Sequence, residues 1–535
     1  MAAYFLAANP TRVFFLRCVT LFIPTFNQAT RRKTSKPTTM TSTPSGTAPQ
    51  QAAAATTDNS SRIFSLDVLR GLSVLGILII SIWEFGGFTV NEQNFFRLGT
   101  HGGNYKLLTA ISILFEGKMG GLLALVFGAG IILFMQKKEP AVSIAAADAY
   151  IRRQVWLLIF GVVNAFVLLW PGDILFQYAV VGILLFAFWR ISARGLLIAS
   201  IICTLIYCGK NYWNYADDKK DYKKYLVVKT IEEKFKQDST SRAKKNSADR
   251  TKDTIQLKDV LAQNKLADSI AKKTDTLTKK QGEEKGKWEG IIKSMKYDSA
   301  ATVAENKAMR TGSYTKIWTH LMQRSQSKES HWLYKIGLWE IGSLMFLGMA
   351  LLGFGFFGDR FSSSKYLLLA LLTLAIGFTL AWFRVHLQAI KMVDYAKYID
   401  KQALPFNQFF PIEKLLLATG YASIIMLLLR ANLLNWLWRA LAATGRMALT
   451  NYIMQSIICT FFFYGYGFGY FGRLQQWELY GMVAEIAMVQ MVFSVCWLRY
   501  YTMGPLEWLW RSLIYRKWLP LKINQSNTIT HTPAT

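Results

Sequence analysis

The sequence predicts an all-α fold, a polytopic transmembrane helix bundle of about ten spans with a long extracytoplasmic insert between spans 5 and 6. Three observations predict it. Of the 535 residues, 52% are hydrophobic, although the formal net charge is +29. Apolar runs of roughly 20 residues, the length that crosses a bilayer, recur along the chain. Charge is concentrated elsewhere, because residues 210–335 hold 29 Lys and Arg against 17 Asp and Glu.

Residues 1–60 lie outside the predicted fold. They contain several basic residues and no acidic residue before Asp58, which superficially resembles a transit peptide. The apolar stretch at 13–26 is interrupted by Arg17 and is too short to span a bilayer. We interpret the segment as a disordered or mis-annotated extension; a start at Met40 would remove residues 1–39 and leave a disordered lead into the first helix.

Ten apolar segments qualify as spans, some of them only marginally. In chain order they lie near residues 64–84, 107–135, 155–171, 173–190, 195–210, 335–357, 365–384, 412–430, 447–469 and 479–499. The second segment contains Glu116 and Lys118, and charged residues inside a span are costly. We therefore predict a re-entrant or broken element there instead of one continuous helix.

The spans divide into two halves around the insert. Residues 61–210 hold spans 1–5 and residues 335–520 hold spans 6–10. The basic insert, 211–334, is predicted to be a solvated surface that includes amphipathic helices, one of them near 288–295. The last residues, 521–535, are predicted to be a disordered tail.

Basic residues are concentrated in alternate loops between the spans. The richer side of the membrane would carry Arg62, Arg152, Arg153, Arg194, Arg360, Arg446 and Arg511. By the positive-inside rule this side is cytoplasmic, which predicts a multi-pass protein of the cell inner membrane with both termini in the cytoplasm. The excess of basic over acidic residues is explained by these loops and by the insert. The predicted partner is therefore the lipid bilayer, and no nucleic acid is expected.

Several classes of chemistry are disfavoured. The five cysteines form no Cys-x-x-Cys pair, so neither a zinc site nor a disulfide framework is indicated, and no metal is predicted. The sequence has no Walker loop, dinucleotide fingerprint or His-Glu-x-x-His motif. It also lacks a Gly-x-Ser-x-Gly motif in a strand–turn–helix context. An ATP-driven pump and the familiar soluble hydrolases are therefore disfavoured.

Asp67 and Arg70 stand three residues apart at the start of the first apolar span. Charges inside a bilayer normally face a protein interior or a water-filled cavity, where they mark function. The alternative is a structural role for the pair, because two opposite charges at i,i+3 near the membrane surface neutralise each other. Both interpretations stay open.

Further ionisable residues lie at membrane depth or at its edges. Those at the predicted outer boundary, where an interfacial position is the alternative explanation, are Glu84, Asp173 and Glu413. Those that lie deeper, and are better candidates for a shared cavity, are Glu116, Glu340 and Glu485. Without a cationic partner a buried carboxyl would be protonated near neutral pH and able to donate its proton.

His101 lies between glycines just before the second span, on the predicted outer side. A histidine in that position is a plausible general base, and an exposed loop histidine with no role is the alternative. The candidate catalytic residues are therefore His101, Glu84 and Glu116.

Several motifs together carry a family resemblance. They are residues 445–452 (GRMALTNY), 455–456 (QS), 504–511 (GPLEWLWR), 127–128 (FG), 172–178 (GDILFQY) and the Asp67-x-x-Arg70-Gly71 pattern. These resemble the YeiB-like family of bacterial inner-membrane proteins, a domain of unknown function. The resemblance covers roughly 60–210 and 335–520, and leaves out the insert.

The first span is also similar to that of membrane acyltransferases, including the O-acyltransferase and heparan-glucosaminide acetyltransferase groups. That resemblance implies transfer of an acyl group from a cytoplasmic donor to an extracytoplasmic or lipid-linked acceptor. In the O-acyltransferase group a catalytic histidine follows the Arg-Gly pair by about a dozen residues; here that stretch ends in Glu84. Glu84 or His101 would have to replace the histidine.

A substrate site follows from this interpretation. Arg70 and Arg446 would meet the phosphates of an acyl-CoA-type donor, and no tightly bound cofactor is predicted. Asn451 and Gln455, an i,i+4 pair, would hydrogen-bond across helices. The candidate substrate-binding residues, for a small-molecule or lipid-linked substrate, are Asp67, Arg70, Asp173, Glu340, Arg446, Asn451 and Gln455.

Two alternatives to acyl transfer stay open. One is a proton- or ion-coupled transporter of a small metabolite, with Glu116, Glu340 and Glu485 as its relay. The other is a non-catalytic membrane scaffold that binds through the insert, 211–334.

Overall fold

A computed structural model describes residues 63–87, 102–136, 144–249, 277–295, 298–358, 360–401 and 405–523. Over these ranges the chain forms helices and no β-strand, and an isolated antiparallel bridge joins Tyr501 to Lys522. The predicted all-α class is therefore confirmed. The predicted extension, 1–60, lies outside the described residues.

Six α-helices lie in the described part of residues 63–249. They are α1 (Phe64–Phe85), α2 (Gly103–Leu114), α3 (Lys118–Gln136), α4 (Ile144–Val162), α5 (Leu175–Leu185) and α6 (Ala193–Asp249). The second predicted span is interrupted between α2 and α3, where Gly117 has a φ of 74°. Only glycine adopts such a backbone angle readily, so the break is built into the sequence beside Glu116 and Lys118.

Eleven α-helices follow in the described part of residues 277–523. They are α7 (Lys279–Met295), α8 (Ser299–Thr311), α9 (Tyr314–Ser327), α10 (Leu338–Gly353), α11 (Ser363–Val393), α12 (Tyr395–Lys401), α13 (Phe410–Arg430), α14 (Asn435–Arg446), α15 (Ala448–Phe463), α16 (Gln476–Tyr500) and α17 (Pro505–Tyr515). A π-helical segment, Lys328–Gly337, joins α9 to α10 without a break.

Eight helical stretches among the described residues are long and apolar enough to cross a membrane. Two shorter apolar helices, Leu175–Phe188 and Ala448–Phe463, correspond to predicted spans 4 and 9. This is a polytopic membrane protein. The count of ten spans, the inner membrane and the orientation of the termini stay predictions.

Close backbone contacts hold the bundle together around α1 and α3. A Cβ atom on Gly71 of α1 would overlap with the backbone of Leu441 in α14, and one on Gly445 would overlap with the backbone of Asp67. Gly128 of α3 lies equally close to the backbone of α10. Small residues at helix crossings allow this approach, which gives membrane helices their van der Waals contact.

The insert begins as a direct continuation of the fifth span. Helix α6 runs without interruption through residue 210, because residues 210–249 contain neither Gly nor Pro. At about 1.5 Å per residue it is roughly 85 Å long. Helix α7 packs on it, with Trp288 buried and stacked on Tyr395. The predicted amphipathic helix at 288–295 is thus present, and the domain boundaries stay predictions.

Candidate functional site

Buried polar groups surround the loop that joins α4 to α5. The chain leaves α4 through a π-helical segment, Val163–Val167, and Leu169 then takes a φ of 58°. Asp173, at the end of the loop, is fully buried. Its carboxylate accepts hydrogen bonds from Asn164 Nδ2 (2.8 Å) and from the backbone N–H of Phe176 (2.8 Å). These bonds fix the position of the carboxyl group.

Tyr452 of α15 reaches the same loop from the opposite half of the chain. Its hydroxyl lies 3.4 Å from Asp173 Oδ1 and accepts a hydrogen bond from the backbone N–H of Ile174 (3.1 Å). Tyr452 is buried. Two of the motifs that carry the family resemblance, 172–178 and 445–452, therefore meet at this point.

Glu329 is a second buried carboxyl group, which interacts electrostatically with the first. It belongs to the π-helical segment Lys328–Gly337, and both of its carboxylate oxygens are buried without a hydrogen-bond partner in the described structure. Glu329 interacts electrostatically with Asp173 and with Tyr452. An unpaired buried polar atom is costly, so it points to a functional role or a bound group.

The surroundings of this pair contain further unpaired polar atoms. Asn164 Oδ1 and, one turn after Asp173, Gln177 Nε2 are buried without a hydrogen-bond partner among the described residues. Asn164 and Glu329 each lie on a π-helical segment, and such segments are frequent at functional sites. We call Asn164, Asp173, Glu329 and Tyr452 the carboxyl site.

Burial raises the pKa of Asp173 to about 7, although hydrogen bonds from Phe176, Asn164 and Tyr452 act in the opposite direction. Asp173 lies between the apolar stretches Ile144–Val167 and Leu175–Phe188. A carboxyl group with this pKa changes its charge near neutral pH, which suits it to general acid–base chemistry.

A second polar cluster lies at the break between α2 and α3. Lys118 is buried and pairs with Glu413 of α13 (2.7 Å). Arg384 of α11 also pairs with Glu413 (2.7 Å) and reaches Glu116 (3.1 Å). Glu413 is 1% exposed and thus lies in the interior, not at a solvated boundary.

A fourth ion pair joins this cluster through an aromatic ring. Lys414 pairs with Glu340 of α10. The ring of Phe410 lies 4.0 Å from Lys414 Nζ and 4.4 Å from the guanidinium of Arg384. We call the six charged residues the ion network: Glu116, Lys118, Glu340, Arg384, Glu413 and Lys414. Its three cations and three carboxylates balance, so Glu116 and Glu340 each have a cationic partner.

Asp67 and Arg70 form the predicted i,i+3 pair, with Arg70 Nη1 donating to Asp67 Oδ1 (2.8 Å). The guanidinium is partly exposed, at 31% of the side chain. It lies close enough to Arg153 for the two cations to interact, and Arg153 interacts in the same way with Arg511. This end of the bundle therefore carries a group of cations suited to an anion.

The remaining predicted residues take part in helix contacts. Arg446 donates to the carbonyl of Thr502 (3.0 Å). Asn451 donates to Ser494 Oγ (2.9 Å), and Gln455 donates to Gln490 Oε1 (2.9 Å). The expected hydrogen bonds across helices are thus present, and each of these side chains has a protein partner.

Glu84 lies near the carboxyl site, whereas His101 lies outside the described residues. Glu84 interacts electrostatically with Tyr464, whose hydroxyl donates to the carbonyl of Leu169 in the same loop (3.3 Å). Among the described residues no group of three or more His, Cys, Asp and Glu side chains is arranged to hold a metal ion.

Glu329, Arg384 and Lys414 were not among the residues predicted from the sequence. Glu329 falls in the segment assigned to the polar insert, and the two cations stand in apolar runs far in sequence from their carboxylate partners. The one available signal for Glu329 was the apolar character of residues 332–338, which extends the sixth span toward it.

Comparisons with known proteins give a family match over part of the chain and uncharacterised relatives, but no activity. A family described as protein of unknown function (DUF418) matches residues 331–517. The uncharacterised protein YxaH of Bacillus subtilis (strain 168) is 26% identical over 475 residues, 86% of this chain and 96% of that protein. The uncharacterised protein YeiB of Escherichia coli (strain K12) is 36% identical over 179 residues, 33% of this chain and 45% of that protein. No solved structure matches.

Proposed function

Starting from the confirmed resemblance to the YeiB-like membrane proteins, we propose that this chain transfers an acyl group to a hydroxyl or amine of an envelope glycan or lipid. The observation that supports this proposal is the carboxyl site, in which two buried carboxyl groups, Asp173 and Glu329, interact electrostatically with each other and with Tyr452. Such a group of side chains accepts and returns a proton, which acyl transfer requires.

Glu329 is the proposed general base because its oxygens have no other partner in the described structure. The acceptor oxygen or nitrogen attacks the carbonyl carbon of an acyl thioester, and its proton passes to the Glu329 carboxylate as the new bond forms. The carbon–sulfur bond then breaks, and the proton finally leaves on the free thiol. Asp173 and Asn164 are positioning residues that hold the loop and Tyr452 in place.

The end of α1 that carries Arg70, opposite the end that carries Glu84, is the proposed donor side. Arg70 is partly exposed there and interacts with Arg153, which also interacts with Arg511. Guanidinium groups bind phosphates in bidentate fashion, which suits the phosphates of an acyl-CoA-type donor. Arg446 is bound to Thr502 and would act by holding this end of the bundle together.

The proposal is tested with the full chain purified into liposomes. Acetyl-coenzyme A labelled in its acetyl group is supplied from outside, and an extract of envelope glycans and lipids is the acceptor. We expect label to appear in a glycan or lipid fraction at a rate proportional to the amount of protein. Absence of transfer from acetyl and longer acyl donors alike, with protein shown to be folded, would contradict an acyltransferase.

The rate of transfer should depend on pH through Asp173. Because the pKa of Asp173 is about 7, its carboxylate predominates above that pH. The pair formed by Asp173 and Glu329 accepts a proton more readily once Asp173 is ionised. We expect kcat/KM to rise with pH and to show an inflection near pH 7, where Asp173 loses its proton. In Asp173→Asn this inflection should disappear, whereas the exposed Asp238→Asn should keep it. An unchanged inflection in Asp173→Asn would exclude this residue.

The ion network favours a second candidate function, proton-coupled transport. Buried charges on several spans can form a relay, and Glu116 is its most exposed carboxylate, at 31%. Liposomes with a trapped pH-sensitive dye would report proton movement down an imposed gradient. Transport predicts that Glu116→Gln slows this movement while Glu289→Gln, on the exposed face of α7, does not. Equal rates in both variants and in empty liposomes would exclude the network as a proton path.

A further inference from the structure

A cavity of about 430 Å³ opens between α4 and the end of α17, apart from both polar clusters. Its volume lies within the range of about 300–1,000 Å³ typical of small-molecule sites. The wall residues that matter here are Arg152, Val155 and Ile159 on α4, and Arg516, Lys517 and Trp518 after α17.

One wall of the cavity is apolar and belongs to the membrane region. Val155 and Ile159 are 41% and 38% exposed, and they lie on the candidate span Ile144–Val167. Trp518 is 74% exposed at the rim. Tryptophan is enriched at the headgroup level of a bilayer, where one part of the ring is apolar and another is wet. The cavity is therefore placed at the edge of the membrane and open toward the lipid chains.

The other wall carries positive charge that the protein neutralises only in part. Arg152 Nη2 pairs with Asp148 (2.7 Å), but Arg152 Nε is buried without a hydrogen-bond partner among the described residues. Arg516 and Lys517 form no ion pair in the described part of the chain. An anion in the cavity would meet these donors at close range.

The chain after α17 is fixed in a conformation that keeps the cavity open. Arg516 ends the helix with a φ of 54°, and Ser512 binds the next turn, accepting from the backbone N–H of Lys517 (3.2 Å) and of Leu519 (3.4 Å). Trp508 donates to the carbonyl of Leu519 (2.7 Å) and stacks on Trp518. The wall is thus preformed, so little ordering entropy is lost when a ligand binds.

We propose that this cavity binds an anionic phospholipid from the surrounding bilayer. The phosphate lies against the side chains of Arg516, Lys517 and Arg152, and the acyl chains follow Val155 and Ile159 into the membrane. The apolar wall and its continuity with a spanning helix favour a lipid over a free phosphate, which would gain nothing from Val155 and Ile159. Basic pockets at the ends of transmembrane helices recognise anionic headgroups in the same way.

The test is native mass spectrometry of the full chain in detergent, titrated with phosphatidylglycerol or phosphatidylcholine of the same chain length. We expect tighter binding of phosphatidylglycerol. Loss of one cation near an anionic headgroup weakens binding about fivefold, so Arg516→Gln/Lys517→Gln should weaken it roughly 25-fold. The charge-preserving Arg516→Lys/Lys517→Arg should retain most of the affinity. The matched control is Lys234→Gln/Lys236→Gln, which removes two exposed lysines of α6.

Three results would overturn the proposal. One is equal affinity for the two lipids, and another is equal loss of affinity in the control and in Arg516→Gln/Lys517→Gln. The third is displacement of phosphatidylglycerol by millimolar inorganic phosphate, since this would identify a free anion as the ligand. None of these results depends on acyl transfer.

Discussion

Replacement of Glu329 by glutamine is expected to lower the rate of acyl transfer about 100-fold or more, because general base catalysis contributes about 10²–10⁴-fold. Glutamine has almost the same shape and cannot take up a proton at neutral pH. The two oxygens of Glu329 are buried without a hydrogen-bond partner in the described structure, so the amide disturbs no existing bond. The measurement is the initial rate of label transfer from acyl-coenzyme A per mole of folded protein.

Two further variants separate catalysis from structure. Glu329→Asp keeps the carboxylate but withdraws it by one methylene, so it should retain more activity than Glu329→Gln. Glu289→Gln, in which an exposed carboxylate of α7 is changed in the same way, should have the rate of the natural protein. A fully active Glu329→Gln protein would contradict the assignment of Glu329 as the base.

The position of Asp173 was predictable from the sequence, but its partner was not. A carboxylate between two apolar runs marks the end of a span, and Asp173 lies in such a place. Glu329 follows a long polar segment, and the apolar residues after it, 332–338, show that a span begins nearby but not that Glu329 itself is buried. Its burial results from the π-helical segment and from packing against α5, which are tertiary properties.

For the ion network, too, the sequence indicates buried residues but not their partners. Glu116 and Glu340 were predicted as buried carboxyl groups, and the structure places both in one network. A hydropathy pattern indicates how deep a residue lies along a span, but not in which direction its side chain faces around the helix axis. It therefore cannot assign an ion-pair partner. Arg384 is 29 residues from Glu413 and 268 from Glu116 in sequence, although it binds both. Which carboxylates are neutralised therefore depends on how α11, α13 and the α2–α3 break pack together.

The two clusters differ in a way that bears on function. Every charge in the ion network has a partner of opposite charge within the described residues, which is what a structural element requires. The carboxyl site has two acidic groups that interact, with Glu329 left without a hydrogen bond. Unsatisfied polar atoms and a carboxyl that titrates near neutral pH are features of reactive sites. Because of this contrast we assign the catalytic role to Glu329 and a stabilising role to Glu413.

Replacement of Glu413 by glutamine is expected to lower the free energy of unfolding by about 3–5 kcal/mol, the usual effect of leaving a buried charge without its partner. Glu413 neutralises both Lys118 and Arg384, each at 2.7 Å, and Lys118 is fully buried. The measurement is unfolding of the full chain in mixed micelles by increasing amounts of SDS. The exposed Glu233→Gln is the control and should change the free energy by less than about 0.5 kcal/mol.

A second substitution distinguishes charge balance from packing. In Lys118→Met/Glu413→Gln one cation is removed together with the carboxylate, and Arg384 keeps Glu116 as its partner at 3.1 Å. Because replacement of a buried ion pair by uncharged side chains is often close to neutral, the double variant should recover most of the lost free energy. If it is as unstable as Glu413→Gln alone, the loss comes from packing around α13, and the network does not depend on charge compensation.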